Sequence, residues 1–414
     1  MNLFLFTNFF PFKKSEPFLV NEFEFAKLNC HSISILSLYG NKKDLGKEIL
    51  TEVNLCSSVL ENSQKRWSLL FRGIFNLASF SHHGLEFFRE KLFLQPKKAY
   101  WFFVSLLITR AALSSSAYKE MVTTIKKTKK PVLYFYWGDN LTWTIPYLVG
   151  HLKGVEYKIV LRLHRTDLYE NIKANYAPLR HKIFSLSNLL VTISDNGKDY
   201  LAFKYPLITK KLKTSYLGVF DNGINERHAT SSFVVVSTSY VISVKRVNLI
   251  FDALQKVESK IVWHHFGGGP LFDELRQLVK TRRPDLQIIL HGHVTNKELI
   301  EFYKTKPVDL FINLSFSEGL PVSIMEALSF GIPVFATKVG GVSELVSNEN
   351  GRLIERDFDV SELAHMLENF INRPDEEHTG CRKLARKTFE EKVDARINYT
   401  TFYKELKALS ELSS

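Results

Sequence analysis

Two glutamates with seven residues between them, Glu318 and Glu326, stand in the segment Ser317-Glu318-Gly319-Leu320-Pro321-Val322-Ser323-Ile324-Met325-Glu326-Ala327-Leu328-Ser329-Phe330-Gly331-Ile332-Pro333-Val334. The segment reads as strand, loop, short helix, loop, strand. Pro321 suits a first helical turn, where its missing N–H costs nothing, and Gly331 suits a left-handed helix end. The amides of Gly319 and Leu320, with the helix N-terminus behind them, are placed to hold a diphosphate. Glu318 lies in the loop and Glu326 about one and a half turns into the helix. Both then face a crevice at the C-terminal edge of a sheet, where α/β folds bind ligands.

Other strand ends carry further candidates. Val235-Val236-Ser237 leads into the basic loop Val244-Lys245-Arg246-Val247. Gly267-Gly268-Gly269-Pro270 follows a strand and opens a helix, Leu271 to Lys280; it either lets backbone approach a ligand or simply makes a tight turn. Gly292-His293-Val294 follows another strand. In the first half, Arg162-Leu163-His164-Arg165-Thr166-Asp167 ends one strand and Tyr134-Phe135-Tyr136-Trp137-Gly138-Asp139 another. Aromatics at that edge line a groove or pack the core, and Tyr134 and Tyr136 fit either reading. The opening loop, Phe10 to Phe18, brings in Glu16.

The elements that must position these residues alternate strand and helix. Strands are expected at Leu3–Phe9, Ser32–Leu38, Val132–Trp137, Tyr157–Leu163 and Leu189–Ser194, then at Phe233–Ser237, Lys260–Phe266, Gln287–Leu290, Leu310–Asn313 and Pro333–Thr337. Their short continuous apolar runs suit parallel strands buried on both faces, and the alternation predicts doubly wound sheets. At 414 residues the chain is long enough for two domains. We place the first at 1–222, with a basic, aromatic, helical insertion over about 45–130, and the second at 223–390. The linker falls at Gly218–Gly223 followed by the polar run Asn225–Ser232. A C-terminal amphipathic helix, 391–414, returns to the first domain, with Val393, Ile397, Tyr403 and Leu406 near one face.

Glu, seven residues, Glu, with Gly-Leu-Pro after the first and Gly-x-Pro-Val after the second, closely resembles the donor-binding signature of retaining glycosyltransferase family 4, also called group 1. The resemblance is strongest from Val234 to Leu353. It implies GT-B architecture: two Rossmann-like parallel-sheet domains facing across a cleft, with the C-terminal helix crossing back. It further implies a hexose-type sugar moved, with retention, from a nucleotide-diphosphate donor. In that family Lys245 contacts the diphosphate, with Arg246 beside it. The Gly-Arg that the family usually carries shortly before this lysine is replaced by Ser239-Tyr240. Glu326 then takes the ribose, Glu318 the sugar, Gly319 and Leu320 the diphosphate, and the Val294 loop the nucleobase. His164 matches a family histidine that faces the donor sugar, with Asp167 holding its ring. Ser15-Glu16-Pro17-Phe18 followed by Glu22 resembles a surface-polysaccharide subgroup. That makes Glu16, Asp167 and Trp137 acceptor-side candidates. Gly340-Gly341, Glu344 and Gly351 match the family's C-terminal pattern and read as structural.

Composition narrows the alternatives. The formal charge of +12 calls for an anionic partner. No helix-turn-helix, zinc-finger or RNA-recognition signature occurs, so nucleic acid is not expected. HExxH, Walker A, kinase and Gly-x-Ser-x-Gly signatures are absent. We read no Asp-x-Asp at a strand end, so neither metal nor cofactor is expected beyond the nucleotide-sugar co-substrate. Cys30, Cys56 and Cys381 lack CxxC spacing, and Met1–Phe6 reads as a strand rather than a signal peptide; both suggest the cytoplasm. The insertion mixes cations with rings at Phe71–Phe75, Phe87–Phe93 and Lys97–Phe103, and its most apolar run, Ala99–Thr109, is too short to span a bilayer. It reads either as interfacial helices on an anionic inner-membrane surface or as helices packed on the first sheet with their lysines in water. The acceptor is then a glycan or lipid-linked glycan of capsule, exopolysaccharide or O-antigen. The competing readings are a GT-B epimerase or phosphorylase, or a non-catalytic nucleotide-binding assembly subunit.

Overall fold

The computed structural model describes residues 1–12, 16–44, 53–60, 80–226 and 232–412. It divides into two compact units, Met1–Ser215 with Tyr399–Ser414, and Tyr216–Asn398.

Among the described residues the first unit has seven strands: β1 (Asn2–Thr7), β2 (Ser32–Tyr39), β3 (Leu55–Leu60), β4 (Pro131–Phe135), β5 (Lys158–Leu163), β6 (Leu189–Thr192) and β7 (Leu212–Thr214). All pair in parallel, in the order β3-β2-β1-β4-β5-β6-β7. The second unit repeats the plan with β8 (Phe233–Thr238), β9 (Ile261–Phe266), β10 (Leu286–Gly292), β11 (Leu310–Asn313), β12 (Val334–Thr337) and β13 (Gly351–Ile354), in the order β10-β9-β8-β11-β12-β13. Each chain path starts mid-sheet, winds outward one way, then returns to wind the other. This leaves a switch point beside β1 and β4 in one unit and beside β8 and β11 in the other, where doubly wound sheets open a crevice. The central strands are buried on both faces, which explains their unbroken apolar runs.

Three strands escaped the sequence pattern. β3 lies inside the stretch read as a helical insertion; its Leu-Cys-Ser-Ser-Val-Leu run is an edge strand with too little apolar character to announce itself. β7 and β13 are likewise short edge strands. The rest of the insertion is helical where described, at Phe80–Arg89, Pro96–Ser114 and Ser116–Lys127. The Phe71–Phe75 run lies outside the described residues. Among the described helices none is long and apolar enough to cross a membrane.

The tail of the helix Ala395–Glu411 belongs to the first unit. Tyr399 packs on Phe25 at 5.5 Å, Phe402 on Tyr134 at 5.4 Å, and the Arg162 guanidinium lies 4.5 Å from the Phe402 ring. Val393, Tyr403 and Leu406 are fully buried, but Ile397 is exposed, so it does not share their face. The proposed linker also needs correction: Val219 is buried and pairs its backbone with Val393 and Ala395. Asn225 is buried, its amide donating to the carbonyls of Tyr303 and Lys306 and its oxygen accepting from Val308 N–H. It is a tie within the second unit, not a solvated spacer.

Candidate functional site

In the second unit, Lys245 ends the turn after β8 and Glu318 lies in the loop after β11, the two strands that flank the switch point. The two side chains meet: Lys245 Nζ donates to Glu318 Oε1 at 2.5 Å. Asn313 Nδ2 approaches the same oxygen at 3.5 Å. Glu318 is buried and Lys245 half-buried, so the charges attract through a partly desolvated medium. The loop is fixed from below by the glycine pair. Gly340 has φ +54, and a Cβ there would stand 2.0 Å from the Glu318 carbonyl oxygen. Gly341 N–H donates to Gly319 O at 2.7 Å. Only glycine permits that approach with that backbone.

The helix Val322–Ser329 follows at once. Pro321 precedes it without a side-chain cap, and Gly331, at φ +68, closes its end with Gly331 N–H on Leu328 O and Ile332 N–H on Ala327 O. The amides of Gly319 and Leu320 have no hydrogen-bond partner among the described residues. Unpaired amides at a helix start beside a lysine are an anion site.

Glu326, inside that helix, is buried, and burial pushes its carboxyl up to about 7. Its Oε1 accepts from Asn296 Nδ2 at 2.5 Å. Asn296 begins the helix Asn296–Thr305, capped by Thr295 and Glu298, immediately after the Gly292-His293-Val294 loop. Sequence reasoning missed Asn296: its neighbours spell a capping box, but only folding brings its amide to a carboxylate thirty positions away. Val294 is half-buried and His293 exposed.

Arg246, expected beside Lys245 as a second diphosphate cation, is spent elsewhere. Its guanidinium donates to the carbonyls of Leu314, Ser315 and Arg356 and lies over the rings of Phe316 and Phe358. It clamps loops. The glycine-rich turn has a structural reason for two of its glycines: a Cβ on Gly267 would fall 1.9 Å from Ser239 O, and one on Gly269 2.6 Å from Val241 O. Those glycines admit neighbouring backbone. Asp-x-Asp does occur, as Asp357-Phe358-Asp359 beyond β13. Asp357 pairs with Arg356, and Asp359 caps the helix Val360–Ile371. Among the described residues no group of three or more His, Cys, Asp or Glu is placed to hold a metal.

The first unit gathers its candidates at the ends of β1, β4 and β5. Glu16 is buried and fully occupied: its carboxylate accepts from the amides of Asn8, Phe9 and Phe10 and from the Trp137 indole. Burial still raises its pKa, against those four donors. Asp167 does not hold the His164 ring. It accepts from the backbone N–H groups of His164 and Gly138, capping the short helix Arg165–Leu168. Burial, then the neighbouring Asp139, pushes Asp167 up to about 7. His164 is buried between the rings of Tyr136 (4.8 Å) and Trp137 (4.3 Å), and neither ring nitrogen has a hydrogen-bond partner. Burial and the Arg162 charge hold it neutral, well below the usual histidine range. Glu22, Tyr134 and Arg162 form a buried set: Glu22 accepts from Tyr134 OH at 2.9 Å and lies 3.7 Å from Arg162. Tyr134 and Tyr136 are therefore core residues, and Trp137 is the half-buried member of that run.

Residues 222–388 match the family model described as glycosyl transferases group 1. Among curated relatives, a putative colanic acid biosynthesis glycosyltransferase of Escherichia coli (strain K12) is 25% identical over 272 residues, covering 63% of this chain and 65% of that protein. N-acetyl-alpha-D-glucosaminyl L-malate synthase of Bacillus anthracis is 25% identical over 287 residues, covering 62% of this chain and 70% of that protein. The chain thus spans less than two thirds of the length of the colanic acid enzymes it matches, 65% in Escherichia coli and 56% in Salmonella typhimurium. Two solved structures align over nearly all of both chains. Anabaena HepE in complex with UDP does so at TM-score 0.68 and 15% identity, covering 99% of this chain and 100% of that one. The lipopolysaccharide outer core galactosyltransferase WaaB, in its apo form, does so at TM-score 0.67 and 16% identity, covering 100% of both. At such identity the likeness is one of fold: two Rossmann-like parallel-sheet domains, the GT-B architecture.

Proposed function

We propose that this chain is a retaining glycosyltransferase that moves a hexose from a nucleoside-diphosphate sugar to a glycan or lipid-linked glycan acceptor in surface-polysaccharide synthesis. The observation that carries this reading is the Lys245–Glu318 contact at the β8/β11 switch point, in front of an uncapped helix start. The group 1 match over 222–388 and the names of the relatives support it.

Lys245 and the amides of Gly319 and Leu320 stabilise charge on the departing diphosphate, with no metal required. In doing so the diphosphate competes with Glu318 for Lys245, which frees the Glu318 carboxylate for sugar hydroxyls. Glu326, steered by Asn296, accepts from the ribose hydroxyls, and the Val294 loop packs on the base. His164, neutral and with open ring nitrogens, is the first unit's own candidate for a sugar hydroxyl. Asp167 positions the backbone of His164. Glu16 positions Trp137, whose indole faces the acceptor. The HepE complex with UDP makes UDP the first nucleotide to test.

The test is calorimetric titration with UDP, GDP, ADP, CMP and dTDP, with and without chelator, followed by NMR of the product's anomeric configuration. One nucleoside diphosphate should bind without divalent metal, and the product should keep the donor's configuration. Binding of none in folded protein sinks the donor site; an inverted product sinks retention; metal-dependent turnover sinks the role of Lys245.

A further inference from the structure

The helix Phe80–Arg89 wears its amphipathic pattern in reverse. His83 and Glu86 are buried, whereas Leu85 and Phe88 are 74% and 71% exposed. Polar contacts enforce this orientation. Glu86 accepts from Tyr176 OH at 2.8 Å and from Leu179 N–H at 2.9 and 2.8 Å, and His83 Nδ1 lies 2.8 Å from Tyr147 OH. A buried carboxylate left without these donors would be costly, so the helix cannot roll to hide its apolar side.

The exposed surface continues through Phe93 (62%) and Leu94 (68%) into Tyr100 (57%) and Phe103 (51%) on the helix Pro96–Ser114. It is contiguous in space: Phe88, Phe93 and Phe103 all set their rings against Phe87, at 5.8, 6.5 and 6.3 Å. Single exposed apolar residues are ordinary; a connected aromatic patch is a docking surface. Its rim is basic. Arg89, Lys91 and Lys97 are exposed, and the one acid among them, Glu90, is paired with Arg89.

We propose that this patch seats the first unit on an anionic lipid bilayer, its rings at the headgroup boundary and its cations against lipid phosphates. Rings and leucine with flanking lysines are the composition that binds such interfaces. Charge complementarity favours lipid over a second copy of the chain, because a two-fold contact would set this basic rim near its own like charges. The inference stands apart from the donor assignment, which concerns the other unit.

The test is co-sedimentation of the full chain with phosphatidylglycerol/phosphatidylethanolamine vesicles and with pure phosphatidylcholine vesicles. The chain should bind the anionic vesicles, less at high salt, and bind the neutral ones weakly. Phe88→Ser with Phe93→Ser should weaken anionic-vesicle binding by about tenfold or more. Lys91→Gln with Lys97→Gln should weaken it several-fold and leave neutral-vesicle binding unchanged. Circular dichroism and nucleotide titration should match the parent in both variants, which separates this result from failure of the donor site. Three outcomes overturn the proposal: no binding to anionic vesicles, unaltered binding by the Phe88/Phe93 variant, or a concentration-dependent dimer that this variant abolishes without any vesicle binding by the parent.

Discussion

The two units share one topology and both place carboxylates at strand ends, yet they use them differently. In the second unit Glu318 is held at one oxygen by the Lys245 ammonium, with the Asn313 amide at 3.5 Å, and Glu326 by a single amide, and both have acceptor capacity to spare. In the first unit Glu16 is saturated by three backbone amides and an indole, and Asp167 has each of its oxygens tied to a backbone amide. A carboxylate bound by rigid backbone donors shapes a loop. One bound by a flexible lysine or asparagine can change partners when a ligand arrives. Residue type and strand-end position do not separate these cases; the identity of the hydrogen-bond donors does.

That contrast can be broken by experiment. The largest effect is expected at Glu318→Ala: turnover should fall by about 100- to 1,000-fold, as when a transition-state contact is lost. Affinity for free nucleoside diphosphate should stay unchanged or rise, since Lys245 is released. Initial rates beside calorimetry decide it, and unchanged turnover in folded protein would place the sugar contact elsewhere. Glu326→Ala should weaken free-nucleotide binding by about tenfold to a hundredfold, the worth of roughly 1.5–3 kcal/mol in hydrogen bonds to a charged group. If it affects turnover alone, the roles of the two glutamates are exchanged.

Glu16→Ala should act on stability instead. Stranding buried amides costs about 1–3 kcal/mol, visible as a lower denaturant midpoint, while nucleotide affinity is unaffected. A variant as stable as the parent would show that Glu16 does not hold its loop. The smallest effect is a pH slope. With the Glu326 carboxyl pushed up to about 7 in the free protein, it is protonated below that pH and must lose its proton to accept from two hydroxyls. Nucleotide affinity should therefore fall by up to about tenfold per unit as pH drops below 7 and level off above it. Stability of the unliganded protein runs the other way. A carboxyl raised from 4.5 to about 7 contributes stability at low pH that is lost as pH climbs through 7. Glu326→Gln should flatten both slopes, and slopes that survive it belong to other groups.

Of the thirteen strands among the described residues, ten were legible in the sequence because buried parallel strands are near-continuous apolar runs. β3, β7 and β13 were not, since an edge strand buries less and can be built from serine, lysine or arginine. The segment Ser317–Val334 was legible for a different reason. Proline at a helix start and glycine at its left-handed end are local backbone demands, met by neighbours in sequence, so the loop, the helix and the two glutamates could be read directly. Which side chains meet is a matter of distant elements. The sequence placed Arg246 beside Lys245, and tertiary structure turned it onto three carbonyls, one of them 110 positions away. It suggested that Asp167 orients the His164 ring, and folding gave that carboxylate to backbone amides because a helix start and Gly138 lay nearer than the imidazole. It marked the insertion as aromatic and basic but could not say which side faces out. Glu86 decided that, because a carboxylate finds buried donors only where Tyr176 and Leu179 have been brought to it.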